Sequence, residues 1–280
     1  MKRARNARSP PSSERQNGEF RSLRRVYGRN RGYQMSGGIP GATPMVQRII
    51  VANSLIWLLQ LLLARTGVPL TELGAVTVDG VFRHLFIWQP FTYMWLHDPH
   101  SPLHLLFNML FFWMTAPPLE MVWGSRRFLR FYITCGVGAG FLILAWNALA
   151  STWDPSTAWT PTLGASGAIY GVVTAFTLLW PDRTIMLLFP PIPIKAIWFV
   201  PVLFVLQFIL GGDRNVSYIG HLGGVLVAAI ILRSELRRAL GWRSVAHRWH
   251  RLRMRNRLRA VRREEFKRSR NSDDDQHTYH

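Results

Sequence analysis

An all-α membrane protein with six transmembrane helices is the fold class that this sequence predicts, and three observations predict it. Six apolar stretches follow one another between residues 49 and 232. Charge is segregated: 49% of the residues are hydrophobic, yet the net charge is +19, and of the 34 Lys and Arg residues 1–48 hold 11 and residues 233–280 hold 15. A soluble basic protein spreads its charge, whereas basic ends around an apolar middle fit a membrane-embedded body with solvated tails. Finally, the stretches show little amphipathic alternation and gather tryptophans near their ends, as at a bilayer interface. The expected organisation is a basic tail over 1–45, a membrane domain over 46–232 and a second basic tail over 233–280.

The stretches run, in order, Ile49–Ala64, Leu103–Ala116, Phe128–Ala150, Ala165–Trp180, Ala196–Leu210 and Tyr218–Leu232. Several fall short of the roughly 20 residues that span a bilayer. Singly, the second, fourth and sixth would pass as buried helices of a soluble protein; six in succession argue against that. The connection over residues 65–102 is long and rich in aromatics, among them Phe82, Phe86, Trp88, Phe91, Tyr93 and Trp95, and is expected to lie partly in the membrane interface.

With the N-terminus cytoplasmic, the cytoplasmic segments carry all but three of the basic residues, and the outer ones keep only Arg65, Arg83 and Arg214. That obeys the positive-inside rule at every loop and puts both termini inside. No cleavable signal peptide is expected, and the Arg-rich leader reads as a cytoplasmic tail rather than as an organellar transit peptide. The tails are expected to sit on anionic lipid rather than on nucleic acid. Cys135 is the single cysteine, so no intrachain disulfide can form; it reads as core filler. No internal repeat of the transporter kind is visible.

Polar residues inside membrane helices are costly and point to function. His104 and Asn108 stand four apart at the start of the second stretch, in HLLFNM; Ser166 starts the fourth, in GASGAIYG; His221 starts the sixth, in GHLGG. Those three helices run in one direction, so their N-terminal ends share one depth near the outer surface. A polar cluster confined to that level does not make the path across the bilayer that a channel needs. Gly167 and Gly171, and Gly220 and Gly224, are each four apart, a spacing that lets helices pack backbone to backbone. Such a crossing would bring Ser166 to His221, with the serine as nucleophile and the imidazole as general base. Asp79, Asp98, Asp154 and Asp213 all fall in outer loops, so a Ser–His dyad is expected, its imidazole held by packing. The helix end at Ser166, with Asn108 and His104, could supply donors to an oxyanion.

These segments, with WQPFTYMWLH at 88–97, the run Leu119–Phe128 and FPPIPIKA at 189–196, resemble the rhomboid family of intramembrane serine proteases over about residues 46–232. The resemblance implies a six-transmembrane-helix rhomboid-like bundle, a serine endopeptidase with Ser166 and His221 catalytic, and an oxyanion hole of His104, Asn108 and the Ser166 backbone N–H. It implies that Tyr170 packs on the catalytic imidazole, that no cofactor is needed, and that the partners are single-pass transmembrane substrates cut near the outer face. A bacterial inner membrane is the expected location. The family's further histidine, five residues before His104, is Pro99 here, and either His97 or His100 could stand in for it. A metal site of His97, His100 and His104 is not expected, because prolines break any regular spacing. The rival reading is a non-catalytic rhomboid-like protein that binds transmembrane clients.

Overall fold

The computed structural model describes residues 41–186, 191–210 and 218–233; of the expected tails only residues 41–45 and 233 fall within them, and Phe189, Pro190 and Asp213 lie outside. The described residues form two compact units. One runs to Val173 and returns for residues 218–225; the other takes residues 174–210 and 226–233.

The first unit is built on three long apolar helices: α1 (Pro44–Ala64), then, after the short turns α2 (Leu70–Gly74), α3 (Val78–Phe82) and α4 (Gln89–Thr92), α5 (Pro102–Trp123) and α6 (Ser125–Ala150). All three are long and apolar enough to cross a membrane. Proline stands in the first turn of α1 and of α5, where its missing N–H costs nothing and its fixed φ starts the helix. Only Gly124, at φ 76°, separates α5 from α6, a left-handed reversal that glycine takes without a Cβ clash. Helix α1 packs on α5, and α5 on α6.

Helix α1 buries two amides beside Val46 and Ile49 and leaves its other large apolar side chains half-buried or exposed. Asn53 and Gln60 are buried while Val51, Leu55, Leu58 and Leu62 are exposed. Helix α6 likewise turns Phe141, Trp146 and Leu149 outward. A protein folded in water does the opposite, so these faces meet lipid, and the chain is an integral membrane protein. The second apolar stretch continues further than expected, through Pro117 and Pro118 to Trp123. Residues Ala116–Glu120 are buried, and surrounding protein carries the helix past two missing N–H donors.

Helix α7 (Ser166–Leu179) begins in the first unit and ends in the second, and α9 (Tyr218–Ile231) does the same. The second unit also holds α8 (Phe199–Leu210) and a short antiparallel strand pair that the all-helical expectation did not contain. In it β1 (Thr184–Met186) pairs with β2 (Pro193–Lys195), Ile185 opposite Ile194. Helices α7, α8 and α9 are shorter apolar helices, so among the described residues three long and three shorter apolar helices stand where six apolar stretches were expected.

Candidate active site

Helix α7 opens after a segment pinned at two points. Val76 and Thr162 exchange both backbone hydrogen bonds, at 2.9 and 3.0 Å, and Gly164 N–H donates to Tyr93 O at 3.0 Å. Gly164 itself has φ 127°, a conformation that side chains with a Cβ rarely adopt. Two residues later Ser166 starts the helix, half-buried.

The α7–α9 crossing is made of backbone. A Cβ added at Gly167 would lie 3.2 Å from Gly220 O, and one at Gly171 would stand 3.3 Å from Gly224 O and 2.6 Å from the Cys135 side chain. A Cβ at Gly224 would collide with the Gly167 carbonyl. All four expected packing glycines therefore line one close approach. Tyr93 braces it: its O–H donates to Gly136 O at 2.7 Å and would stand 3.1 Å from a Cβ at Gly167.

At this crossing His221 Nε2 lies 2.6 Å from Ser166 Oγ. His221 is 7% exposed, and Tyr170, one turn along α7, stacks on it with ring centroids 4.3 Å apart and planes 14° from parallel. A hydroxyl within reach of a desolvated imidazole, backed by a flat ring, is an arrangement in which a nucleophile can be activated by a base.

The start of α5 closes on the same place. His104 Nε2 lies 3.0 Å from where a Cβ at Gly164 would stand, and that point is 3.8 Å from Ser166 Oγ. The N-terminal ends of α5, α7 and α9 thus meet. Asn108 follows one turn later, 7% exposed, and its buried Nδ2 has no hydrogen-bond acceptor among the described residues. Neither His104 nor Asn108 makes a hydrogen bond to Ser166 among the described residues. His97, fully buried, sets its ring edge-on to His104 at 5.2 Å. Burial first, and the His104 imidazole second, push the His97 pKa down to about 3, so the ring is neutral near pH 7. His100 is exposed instead, with its backbone N–H on Asp98 Oδ1 at 2.8 Å. Of the two candidates it is His97 that stands beside His104.

Sequence reasoning passed over Gly164, Tyr93 and Glu120. The positive φ and the hydroxyl contact have no local signature; Glu120 alone, a lone acid inside an apolar helix, carried a usable signal. Its carboxylate accepts from Thr43 Oγ1, from Met45 N and Val46 N at 3.0 Å each, and from Ser125 Oγ at 2.5 Å. It caps the open start of α1 from another helix, as an acid near a helix N-terminus should.

Residues 85–238 match the family model described as the Rhomboid domain. The chain is 30% identical over 135 residues to Rhomboid protein 1, mitochondrial, of Saccharomyces cerevisiae, a match covering 45% of this chain and 36% of that protein. It is 27% identical over 195 residues to Rhomboid-like protease 3 of Toxoplasma gondii, covering 66% of each. With RHOMBOID-like protein 12, mitochondrial, of Arabidopsis thaliana it shares 30% over 138 residues, 45% of this chain and 40% of the relative. The chain therefore spans less than two thirds of the length of each of these relatives.

Proposed function

The chain belongs to the rhomboid family, and on that footing we propose that it is an intramembrane serine endopeptidase that cuts single-pass transmembrane proteins. The observation that carries this reading is the 2.6 Å approach of His221 Nε2 to Ser166 Oγ. As the hydroxyl oxygen attacks the scissile carbonyl carbon, Nε2 takes its proton, and the same proton passes to the leaving amine. Water, deprotonated in turn by His221, then attacks the acyl-enzyme, and His221 returns that proton to Ser166 Oγ as the acyl group leaves as the acid. The oxyanion draws on the Asn108 amide, His104 Nε2–H and the Ser166 backbone N–H, in a buried site where such donors count most.

The imidazole works as half of a dyad. The described outer-loop aspartates are engaged elsewhere: Asp79 with Arg83 and His84, Asp98 with the His100 amide, Asp154 with Ser156. Tyr170 supplies the orientation that an acid would otherwise give. By family resemblance the substrate is a helix with small residues near the cut that unwinds easily. Residues 46–232 make the membrane protease domain, with both termini on one side of the bilayer and basic tails on anionic lipid. Two of the relatives are mitochondrial by name, which weighs against the bacterial inner membrane expected above; fractionation of a tagged chain decides the compartment.

A fluorophosphonate probe applied to purified protein in lipid should label Ser166, and a reconstituted single-pass substrate should be cut. Labelling that persists undiminished in Ser166→Ala would sink the assignment. Failure to cut, with the client still co-purifying, would return the chain to the non-catalytic reading.

A further inference from the structure

Helix α1 touches none of the reacting atoms, yet two of its side chains grip the loop that leads to His104. Gln60, 1% exposed, accepts the His97 backbone N–H on Oε1 at 3.1 Å and donates from Nε2 to Thr71 Oγ1 at 3.0 Å. One turn earlier, Trp57 Nε1–H donates to the Asp98 carbonyl at 3.0 Å. Consecutive residues are thus held from the same helix. Between those two bonds lies the Asp98 N–H, which is directed at His104 Nδ1 at 3.4 Å.

That last contact decides where the His104 proton sits. A neutral imidazole carries one N–H, and the hydrogen bond made by one nitrogen sets the state of the other. With Nδ1 accepting, the proton is on Nε2, the atom that abuts Gly164 beside the serine. Without a donor at Nδ1 the ring can place its proton there, and Nε2 then turns a lone pair toward an oxyanion. Only the first tautomer helps.

We propose that Trp57 and Gln60 are positioning residues that select the Nε2–H tautomer of His104 by holding the His97–Asp98 backbone against it. The proposal rests on the catalytic reading of Ser166 and His221. It gives a buried glutamine and an indole N–H on a lipid-facing helix a purpose in the chemistry.

The test uses the full chain in lipid nanodiscs, labelled with ¹⁵N-histidine. The His104 ring signals are assigned by their loss in His104→Ala, and kcat and KM are measured on one model substrate. The wild type should show His104 as the Nε2–H form alone. Trp57→Phe and Gln60→Leu should each give a mixture of tautomers and lower kcat about tenfold at unchanged KM, part of the 10²–10³ that one oxyanion donor is worth. Neither should cost anything further in a His104→Ala background, as expected of residues acting through one another. Gln60→Glu, which keeps an acceptor for the His97 N–H, should restore both readouts. If Gln60→Leu does not fold, Trp57→Phe carries the test. A His104 that stays wholly in the Nε2–H form in the folded variants overturns the proposal, as does an equal fall in kcat in the His104→Ala background. Because the tautomer is read without substrate, a wild type that cuts nothing counts against the protease reading and leaves the tautomer result to stand or fall alone.

Discussion

The two ends of helix α5 each bury a polar cluster, Asn108 and Glu120 lying roughly 18 Å apart at 1.5 Å per residue, and the two are partnered differently. At the C-terminal end Glu120 accepts from two hydroxyls and two backbone N–H groups. At the N-terminal end Asn108 keeps a buried amide N–H with no acceptor among the described residues, while Ser166 leans on an imidazole. A buried polar group with its partners in place fastens a fold; one left short of a partner costs free energy until something arrives. Trp123 Nε1 at the C-terminal end is unpartnered among the described residues as well, but it lies far from Ser166, whereas the Asn108 amide stands one turn from His104, and an oxyanion is the kind of visitor an amide donor suits.

The comparison breaks most easily at the nucleophile. Ser166→Ala and His221→Ala should each lower cleavage of a reconstituted substrate by 10³-fold or more while thermal unfolding hardly moves; substantial residual cleavage in either would end the distinction between the two ends. Next in size is the crossing. Gly224→Val places a branched side chain on the Gly167 carbonyl and should cut activity by about 10²-fold or more, since a displacement near 1 Å can cost that much. Full activity there would show that the helices need not touch. Asn108→Ala comes third: if the unpartnered amide meets the oxyanion, kcat should fall about 10²–10³-fold with little change in KM. A change confined to KM would mean that it binds substrate instead.

The other end answers in a different quantity. Glu120→Gln should lower stability by on the order of 1–3 kcal/mol, as for other buried groups stripped of a charged hydrogen bond, measured by thermal unfolding in lipid, with kcat of the folded fraction unchanged. A large drop in kcat at unchanged stability would erase the contrast between the ends. Smallest of all should be Asp79→Asn and Asp154→Asn, each less than about tenfold on cleavage, whereas a true triad acid can be worth about 10⁴.

Much of this was readable before any coordinates. The six apolar stretches became apolar helices because length and hydropathy act locally, and the glycine pairs announced a close crossing because spacing by four marks one helix face. The proximity of Ser166 and His221 followed from that crossing; their roles are a proposal. What escaped notice depends on distant partners. Helix α5 outruns its double proline because the residues around it are buried. Glu120 meets Met45 across 75 positions of chain, and no window of sequence contains both. The strand pair of Thr184–Met186 and Pro193–Lys195 and the small helices between α1 and α5 are too short for any period to register.

A joint assembled from carbonyls and glycine Cα atoms, like the one between α7 and α9, has no adjustable part. At Gly171 and Gly224 an added methyl overlaps atoms that no rotamer change would clear, so an engineer will find a step there and no slope. Tyr170 is different. Its ring lies flat on the imidazole, centroids 4.3 Å apart, and Leu and then Val would cover progressively less of that face. On the proposed protease reading, Tyr170 is the position at which activity would be graded, and the glycine crossing the one at which it would be lost outright.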